Sequence, residues 1–537
     1  MGRVSRVVAK ANQRLNIRLA AVLLASSTLV SSGFGFYRER LLNGLYYDSY
    51  PTGLNAYAVA FTIPDFMFFL LVSGALSVTF IPVFNQRLAT GNKKSAWELS
   101  ASMINFMALI TLVASILIIV FADPLVRYVV GPGLDESGRN LAISMMRVIA
   151  VNPFLFAVAT VIASMQQAIG RFTFYTLAPT IYNIGIIIGA LFFTGGINIF
   201  GWQVFEGGIM GVALGVVLGS MMQLVVSSLG LIGMGFDYEF KMYWKNKGFI
   251  SVLKLLPPRS LDQGMDYLIS IVETNLASRM GDIAVRAYQM AMTLHMMPIN
   301  LIGVAISTAA FPKMTERLSQ GRTDLFKEDL RTTLRIIIWL SLPVATITWF
   351  TRGYLVNFIK NGGDALMAGL LGALATVIFF RSVYHIAARS FYAQQDTKTP
   401  LYVSLFAITL NIVLAILFTQ RFGMGPYGLA YAQAIVACLE VFILFVILGH
   451  RLPGLLNKVF MHAILRMTSA TGLMAIVTYV SVLIFQLQSS DESFLATFPK
   501  FTIIVAISFG TYLGICHLFK LPETTPVINK IRSALLR

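Results

Sequence analysis

About fourteen stretches of roughly 20 mostly apolar residues recur along the chain, separated by short polar connections. They fall near 17–37, 57–82, 101–122, 143–168, 175–195, 208–234, 254–279, 288–311, 334–351, 365–386, 401–420, 426–449, 462–487 and 499–519. Each is long enough to cross about 30 Å of hydrocarbon as a helix. A backbone that crosses lipid must satisfy its hydrogen bonds internally, so repeated apolar segments of this length predict an all-α, multi-pass membrane protein. Composition agrees. Of 537 residues, 57% are hydrophobic and only 12% charged, against about a quarter charged in soluble domains. No soluble segment is large enough to carry chemistry of its own.

The net charge of +17 does not point to nucleic acid. Lys and Arg occur in short clusters between apolar runs, and no nucleic-acid motif is present. The N-terminal segment carries Arg3, Arg6, Lys10, Arg14 and Arg18. The even-numbered connections add Arg87, Lys93, Lys94, Lys241, Lys245, Lys247, Lys313, Arg317, Arg322, Lys327, Arg331 and Arg335. Under the positive-inside rule this asymmetry predicts both termini in the cytoplasm. The stretch 313–333 reads as an amphipathic surface helix joining two halves. The predicted organisation is an N-terminal lobe over 1–235, a C-terminal lobe over 236–450, and two additional spans with a cytoplasmic tail over 451–537. Cys438 and Cys516 lie in apolar runs and read as packed thiols. The five histidines show no metal-ligand spacing, and no phosphate-binding glycine loop is present. The reading is therefore a transporter rather than an enzyme, with no cofactor.

Ionisable residues inside spans are costly and face cavities or partners. The seventh stretch is the richest in them. Arg259, Asp262, Asp266 and Glu273 share one helical face at 3.6 residues per turn. The three acids are candidates for coupling to Na⁺ or H⁺, and Arg259 for binding an anionic substrate; a self-satisfied Arg–Asp network is the plainer alternative. Pro257 and Pro258 predict a helix break at the start of this span. The first span ends SSGFGFYRER, where Gly33 and Gly35 weaken the helix before Arg38 and Glu39. Arg38 has the permanent charge and forked geometry of a phosphate ligand. Asp65, just after Pro64, reads as a cavity acid or a capping residue at a proline kink. Arg147 and Arg381 are further intramembrane arginines, with Glu440 a candidate partner across the bundle.

Four stretches give the chain a resemblance to a known family. GFGFYRE (Gly33 to Glu39), AYAVAFTIPDFMFFLLVSGALSVTFIPVF (Ala56 to Phe84), QQAIGRFTFYTLAPTIYNI (Gln166 to Ile184) and ARSFYAQQDTKTP (Ala388 to Pro400) resemble motifs of the MurJ/MviN lipid II flippases. These are a branch of the multidrug/oligosaccharidyl-lipid/polysaccharide exporter superfamily. The last stretch is the most specific. The resemblance covers roughly 17–450. It implies 14 spans in two lobes around a central cavity, in the bacterial inner (plasma) membrane. It also implies a role in peptidoglycan synthesis, cell-wall biogenesis and cell shape. The implied activity is flipping of lipid II, the undecaprenyl-pyrophosphate-linked disaccharide peptide, from the cytoplasmic to the periplasmic leaflet by alternating access. Membrane lipids and other cell-wall synthesis proteins are the implied partners.

The sequence departs from the family pattern in its cations. Arg38 matches a cavity arginine. Ser32 stands where another first-helix arginine is usual, and Phe68 and Phe69 stand where the second helix usually has an arginine pair. Before Pro298 only His295 is offered in place of an arginine. Arg147, Arg259 and Arg381 are the candidates to replace them. Two other readings follow: a flippase or exporter for another lipid-linked oligosaccharide or small molecule on the same scaffold, and a non-transporting membrane scaffold.

Overall fold

The computed structural model describes residues 17–72, 75–199, 202–488 and 490–535, except for some side chains, those of 257–266 among them. The chain divides into two compact units, Met1–Val285 and Arg286–Arg537. Among the described residues, twelve helical segments are long and apolar enough to cross a membrane. Two more helices, Ile17–Tyr46 and Lys247–Ala277, are 30 and 31 residues long. At about 1.5 Å per residue both exceed the hydrocarbon thickness. The chain is a multi-pass α-helical membrane protein.

The first unit holds α1 (Ile17–Tyr46), α2 (Pro51–Leu71), α3 (Ala75–Ala89), α4 (Lys93–Pro124), α5 (Glu136–Ile149), α6 (Asn152–Ala168), α7 (Thr173–Ile188), α8 (Met210–Leu229) and α9 (Lys247–Ala277). Between α7 and α8 a small antiparallel hairpin pairs Ile197–Ile199 with Trp202–Phe205, a feature absent from the all-α expectation. Phe80 and Phe84 of α3, Met103 of α4, Val161 of α6 and Phe249 of α9 are fully buried in one apolar core. In lipid the drive for such packing is van der Waals contact rather than water release, so small residues mark the closest helix approaches. Gly185 of α7 and Gly189, in the turn that continues it, meet Gly219 and Gly215 of α8; a Cβ on Gly215 would lie 2.6 Å from the Gly189 Cα.

One local expectation, a helix break at Pro257 and Pro258, is corrected here. α1 runs unbroken through Gly33 and Gly35, because helix-internal hydrogen bonds have no competing water once the segment is packed in lipid. α9 likewise continues through Pro257 and Pro258. It starts earlier, where the Asn246 side chain accepts hydrogen bonds from the Gly248 and Phe249 N–H groups at 2.9 and 3.3 Å. That N-cap satisfies donors the first turn would otherwise leave open.

The second unit holds α10 (Ala284–Ile299), α11 (Ala305–Ser319), α12 (Thr323–Phe350), α13 (Arg352–Ile359), α14 (Ala365–Ala393), α15 (Lys398–Ile416), α16 (Pro426–Arg451), α17 (Lys458–Ile484), α18 (Phe494–Leu518) and α19 (Thr525–Leu535). The stretch 313–333 is not one surface helix. It is the end of α11 and the start of α12, joined by a turn in which Gly321 takes φ +71°. Lys313 and Arg317 reach Asp329 across this hairpin, at 2.6 and 3.4 Å. The boundary between units falls at 285/286 rather than 235/236, because α9 packs on α2, α3 and α4. α17 and α18 belong to the second unit. Tyr512 of α18 donates to the Trp339 carbonyl of α12 at 2.9 Å, and Thr478 of α17 donates to Ser508 of α18 at 2.9 Å.

Candidate functional site

A polar seam runs along one face of α1 where it crosses α7. Ser27, Ser31, Gly35 and Arg38 recur at intervals of three or four residues and so share that face. The Ser27 hydroxyl donates to the Thr176 carbonyl. Asn183 of α7 donates to the Ser31 carbonyl at 3.3 Å and to its own helix at Pro179 at 3.2 Å. Its side chain also packs against Gly35, where a Cβ would meet it at 3.6 Å. The seam ends at Arg38, which donates to the Asn183 side-chain Oδ1 from Nη1 at 2.9 Å.

Arg38 is further held by its neighbour Glu39. Nε donates to the Glu39 carboxylate at 3.0 Å, and Nη2 donates to the same oxygen. Glu39 is buried, whereas the Arg38 side chain keeps 22% of its surface exposed. An arginine carries paired hydrogens on each Nη, so one hydrogen on each remains for an anion. Tyr57 of α2 and Tyr182 of α7 lie within electrostatic reach of the guanidinium. Asp65 of α2 lies within reach as well. It sits inside the helix, one residue after Pro64, and is half-buried. Capping is therefore not its role, and it pairs with no other side chain among the described residues. The arrangement offers a forked cation, a carboxylate and two phenols within electrostatic reach of one another. That is a set of groups suited to a phosphate and its sugar hydroxyls.

Phe68 and Phe69 are locked into an aromatic row. Tyr182 meets Phe156 at 5.1 Å, Phe156 meets Phe68 at 5.5 Å, and Phe68 meets Phe69 at 5.3 Å between ring centroids. Phe69 then stacks on Tyr267 of α9 at 4.0 Å and 15°. The place where the family pattern has an arginine pair is thus an apolar brace tying α2 to α6 and α9.

The remaining candidates lie elsewhere. Arg147 does not join the Arg38 group. It is exposed near the end of α5, and its Nε donates to the Ile119 carbonyl of α4 at 3.4 Å. Glu273 is buried in α9 and engaged. The side chains of Arg259, Asp262 and Asp266 lie outside the described residues.

Arg381 builds a second polar group, wholly within the second unit. Its Nη1 donates to Glu440 of α16 at 2.8 Å, the partner anticipated from sequence. Ser404 of α15 donates to the other Glu440 oxygen at 3.1 Å. The Tyr384 hydroxyl meets Ser404 at 3.0 Å, and its ring lies 5.4 Å from the Arg381 guanidinium. His295 of α10 is buried. Asn183 was the residue that sequence reasoning missed. It is neutral, and only the crossing of α1 and α7 reveals its role.

The specific ARSFYAQQDTKTP stretch is a helix junction. Asp396 accepts from the N–H groups of Lys398 and Thr399 at 3.0 Å each, capping α15, and from the Thr399 hydroxyl at 2.6 Å. Arg451 at the end of α16 donates to it at 2.6 Å.

The family described as Lipid II flippase MurJ matches residues 52–500. A probable lipid II flippase of Bdellovibrio bacteriovorus is 23% identical over 508 residues, covering 93% of this chain and 94% of that protein. One from Buchnera aphidicola of Schizaphis graminum is 25% identical over 441 residues, covering 80% and 83%. Among solved structures, a lipid II flippase MurJ in an inward closed conformation superposes with a TM-score of 0.74 at 22% identity, covering 93% of this chain and 98% of the other. An inward-facing multidrug transporter of the MATE family superposes at 0.67 and 16% identity, over 82% and 99%. The fold is therefore that of these transporters. With a family match spanning most of the sequence, this chain belongs to the lipid II flippase MurJ family.

Proposed function

We propose that the chain moves lipid II from the cytoplasmic to the periplasmic leaflet of the bacterial inner membrane by alternating access, with both termini in the cytoplasm. It is a transporter and not an enzyme. The observation that carries the reading is the Arg38 group: a partly exposed guanidinium with hydrogens to spare, near a carboxylate, Asp65, that pairs with no other side chain among the described residues. A pyrophosphate cannot enter hydrocarbon without replacing its hydration. Forked donors on a rigid helix supply that replacement. The polyprenyl tail needs no such provision, since it stays in lipid. Other cell-wall synthesis proteins are proposed partners.

The test is complementation of a strain depleted of its own lipid II flippase. We expect the wild-type chain to restore growth, and Arg38→Ala to be inserted and stable yet fail. Growth with Arg38→Ala would remove Arg38 from the reading. The aromatic row at Phe68 and Phe69 favours a second reading, a different lipid-linked oligosaccharide, because it leaves few cations for a pyrophosphate. Failure of a stably inserted wild-type chain would move the assignment there.

We further propose that the acids of α9 couple the cycle to Na⁺ or H⁺. One charge moved through 100 mV supplies about 2.3 kcal/mol. Asp266→Asn should abolish transport and leave the protein folded; unchanged transport would end the coupling role at this position.

A further inference from the structure

We propose that the second unit holds a site for the phosphate headgroup of an anionic phospholipid at the N-terminal end of α17, distinct from the Arg38 group. The inference rests on the cytoplasmic placement of that end, and not on which substrate is carried. A cavity of about 460 Å³ opens there, lined by Arg335 of α12, by Lys458, His462 and Arg466 of α17, and by apolar Val459 and Leu521. Lys458, His462 and Arg466 recur every four residues, so they line one face over two turns.

The charges in this cavity are not balanced. Arg335 is held by Glu523 at 2.5 Å, in the short turn Pro522–Thr524 after α18. Among the described residues Arg466 donates to a neutral acceptor, the Phe519 carbonyl, at 3.3 Å. The His462 ring nitrogen faces the Lys458 carbonyl at 2.6 Å. Among the described residues no carboxylate pairs with Lys458 or Arg466. A polar anion with two cations fits that remainder.

The surroundings choose a lipid over a free anion. Next to the basic stripe, Val459, Met461 and Leu465 are largely exposed, and Leu518 at the end of α18 is 77% exposed. On a membrane protein such surfaces meet acyl chains. A headgroup at Lys458 and Arg466 would leave its chains running down this apolar wall. Basic pockets between helices at the cytoplasmic face suit anionic lipids for this reason.

The test uses the purified full chain in neutral detergent and reads its thermal midpoint. Phosphatidylglycerol should raise the midpoint, and phosphatidylcholine should not. The double substitution Lys458→Gln with Arg466→Gln should lose the response while keeping the lipid-free midpoint; Lys94→Gln, an exposed cation elsewhere, should keep it. Should the double variant not fold, Lys458→Gln alone decides, with half-saturation by phosphatidylglycerol expected at least tenfold weaker. An equal response to phosphatidylcholine, or a full response in the substituted chain, overturns the site. A midpoint rise with inorganic phosphate alone, equal to that with phosphatidylglycerol, replaces the lipid with a free anion. Lipid binding by a chain that fails complementation would overturn the flippase reading and leave this site standing.

Discussion

Two arginine–carboxylate pairs, Arg38–Glu39 in the first unit and Arg381–Glu440 in the second, are built to different ends. Arg38 and Glu39 are neighbours on a single helix, and their contact ties no two elements together. The ties between α1 and α7 involve neutral Ser27 and Asn183. Arg381 and Glu440 lie on different helices, and Ser404 and Tyr384 complete a closed ring of contacts across α14, α15 and α16. Glu440 is 2% exposed as a side chain, Arg381 27%. The second pair is a brace in which both Glu440 oxygens accept hydrogen bonds from other helices. The first leaves hydrogens of Arg38 unused, within electrostatic reach of Asp65, which pairs with no other side chain among the described residues. Charge inside the membrane marks function only where hydrogen-bonding capacity is left over.

The sharpest way to break the comparison is to remove one carboxylate. Glu440→Ala leaves Arg381 without its anion and should destabilise the protein by about 3–5 kcal/mol. The check is the denaturation midpoint in detergent. Adding Arg381→Met should recover much of the loss, as expected when an unpaired charge is the penalty. If Glu440→Ala cost no more than a surface substitution, the brace would be no brace, and Arg381 would rejoin the ligand candidates. The corresponding change in the first unit, Arg38→Ala, should spare the fold and stop transport.

A smaller change sharpens the same contrast. Ser404→Ala removes one donor to Glu440 and should cost about 1.5–3 kcal/mol, the range for a hydrogen bond to a charged group. Transport by the folded protein should be unchanged. A transport defect without loss of stability would show that the ring takes part in the cycle.

Much of this was legible in sequence, and the exceptions have physical causes. Apolar runs locate spans because lipid imposes length and composition together. Arg381 and Glu440 were readable as partners because lone charges in lipid seek each other. The place of α9 was not readable, since its packing on α2, α3 and α4 depends on which helices lie beside it. Arg147 was misplaced for a similar reason: a charge near a helix end reaches a carbonyl at Ile119, and hydropathy is blind to that. The glycine seam between α7 and α8 had its four-residue spacing in plain view at Gly185, Gly189, Gly211, Gly215 and Gly219. The forked cation of Arg38 was legible as chemistry, but its contact with Asn183 required the crossing.

The mildest prediction moves the same kind of pair into water. Asp396 and Arg451 form a contact outside the spans, with side chains 20% and 39% exposed. Desolvation opposes charge on Asp396. The hydroxyl and N–H of Thr399 and the Arg451 guanidinium outweigh it, holding the carboxyl at about 2, below its usual range. A depressed folded-state value means that the stabilisation is fully present above the unfolded value, near 3.8, and fades as pH falls through that value toward 2. Between pH 5 and 8 the contribution should be flat. Solvent screens an exposed pair, so its share is small. Asp396→Asn should lower the midpoint slightly and by the same amount across pH 5 to 8, with the gap to wild type closing below pH 4. A gap that widened on acidification would mean that Asp396 is protonated when it works, and the cap on α15 would then need another account. High salt should shrink the gap here and leave the Glu440→Ala penalty nearly untouched, because salt reaches Arg451 and does not reach Glu440.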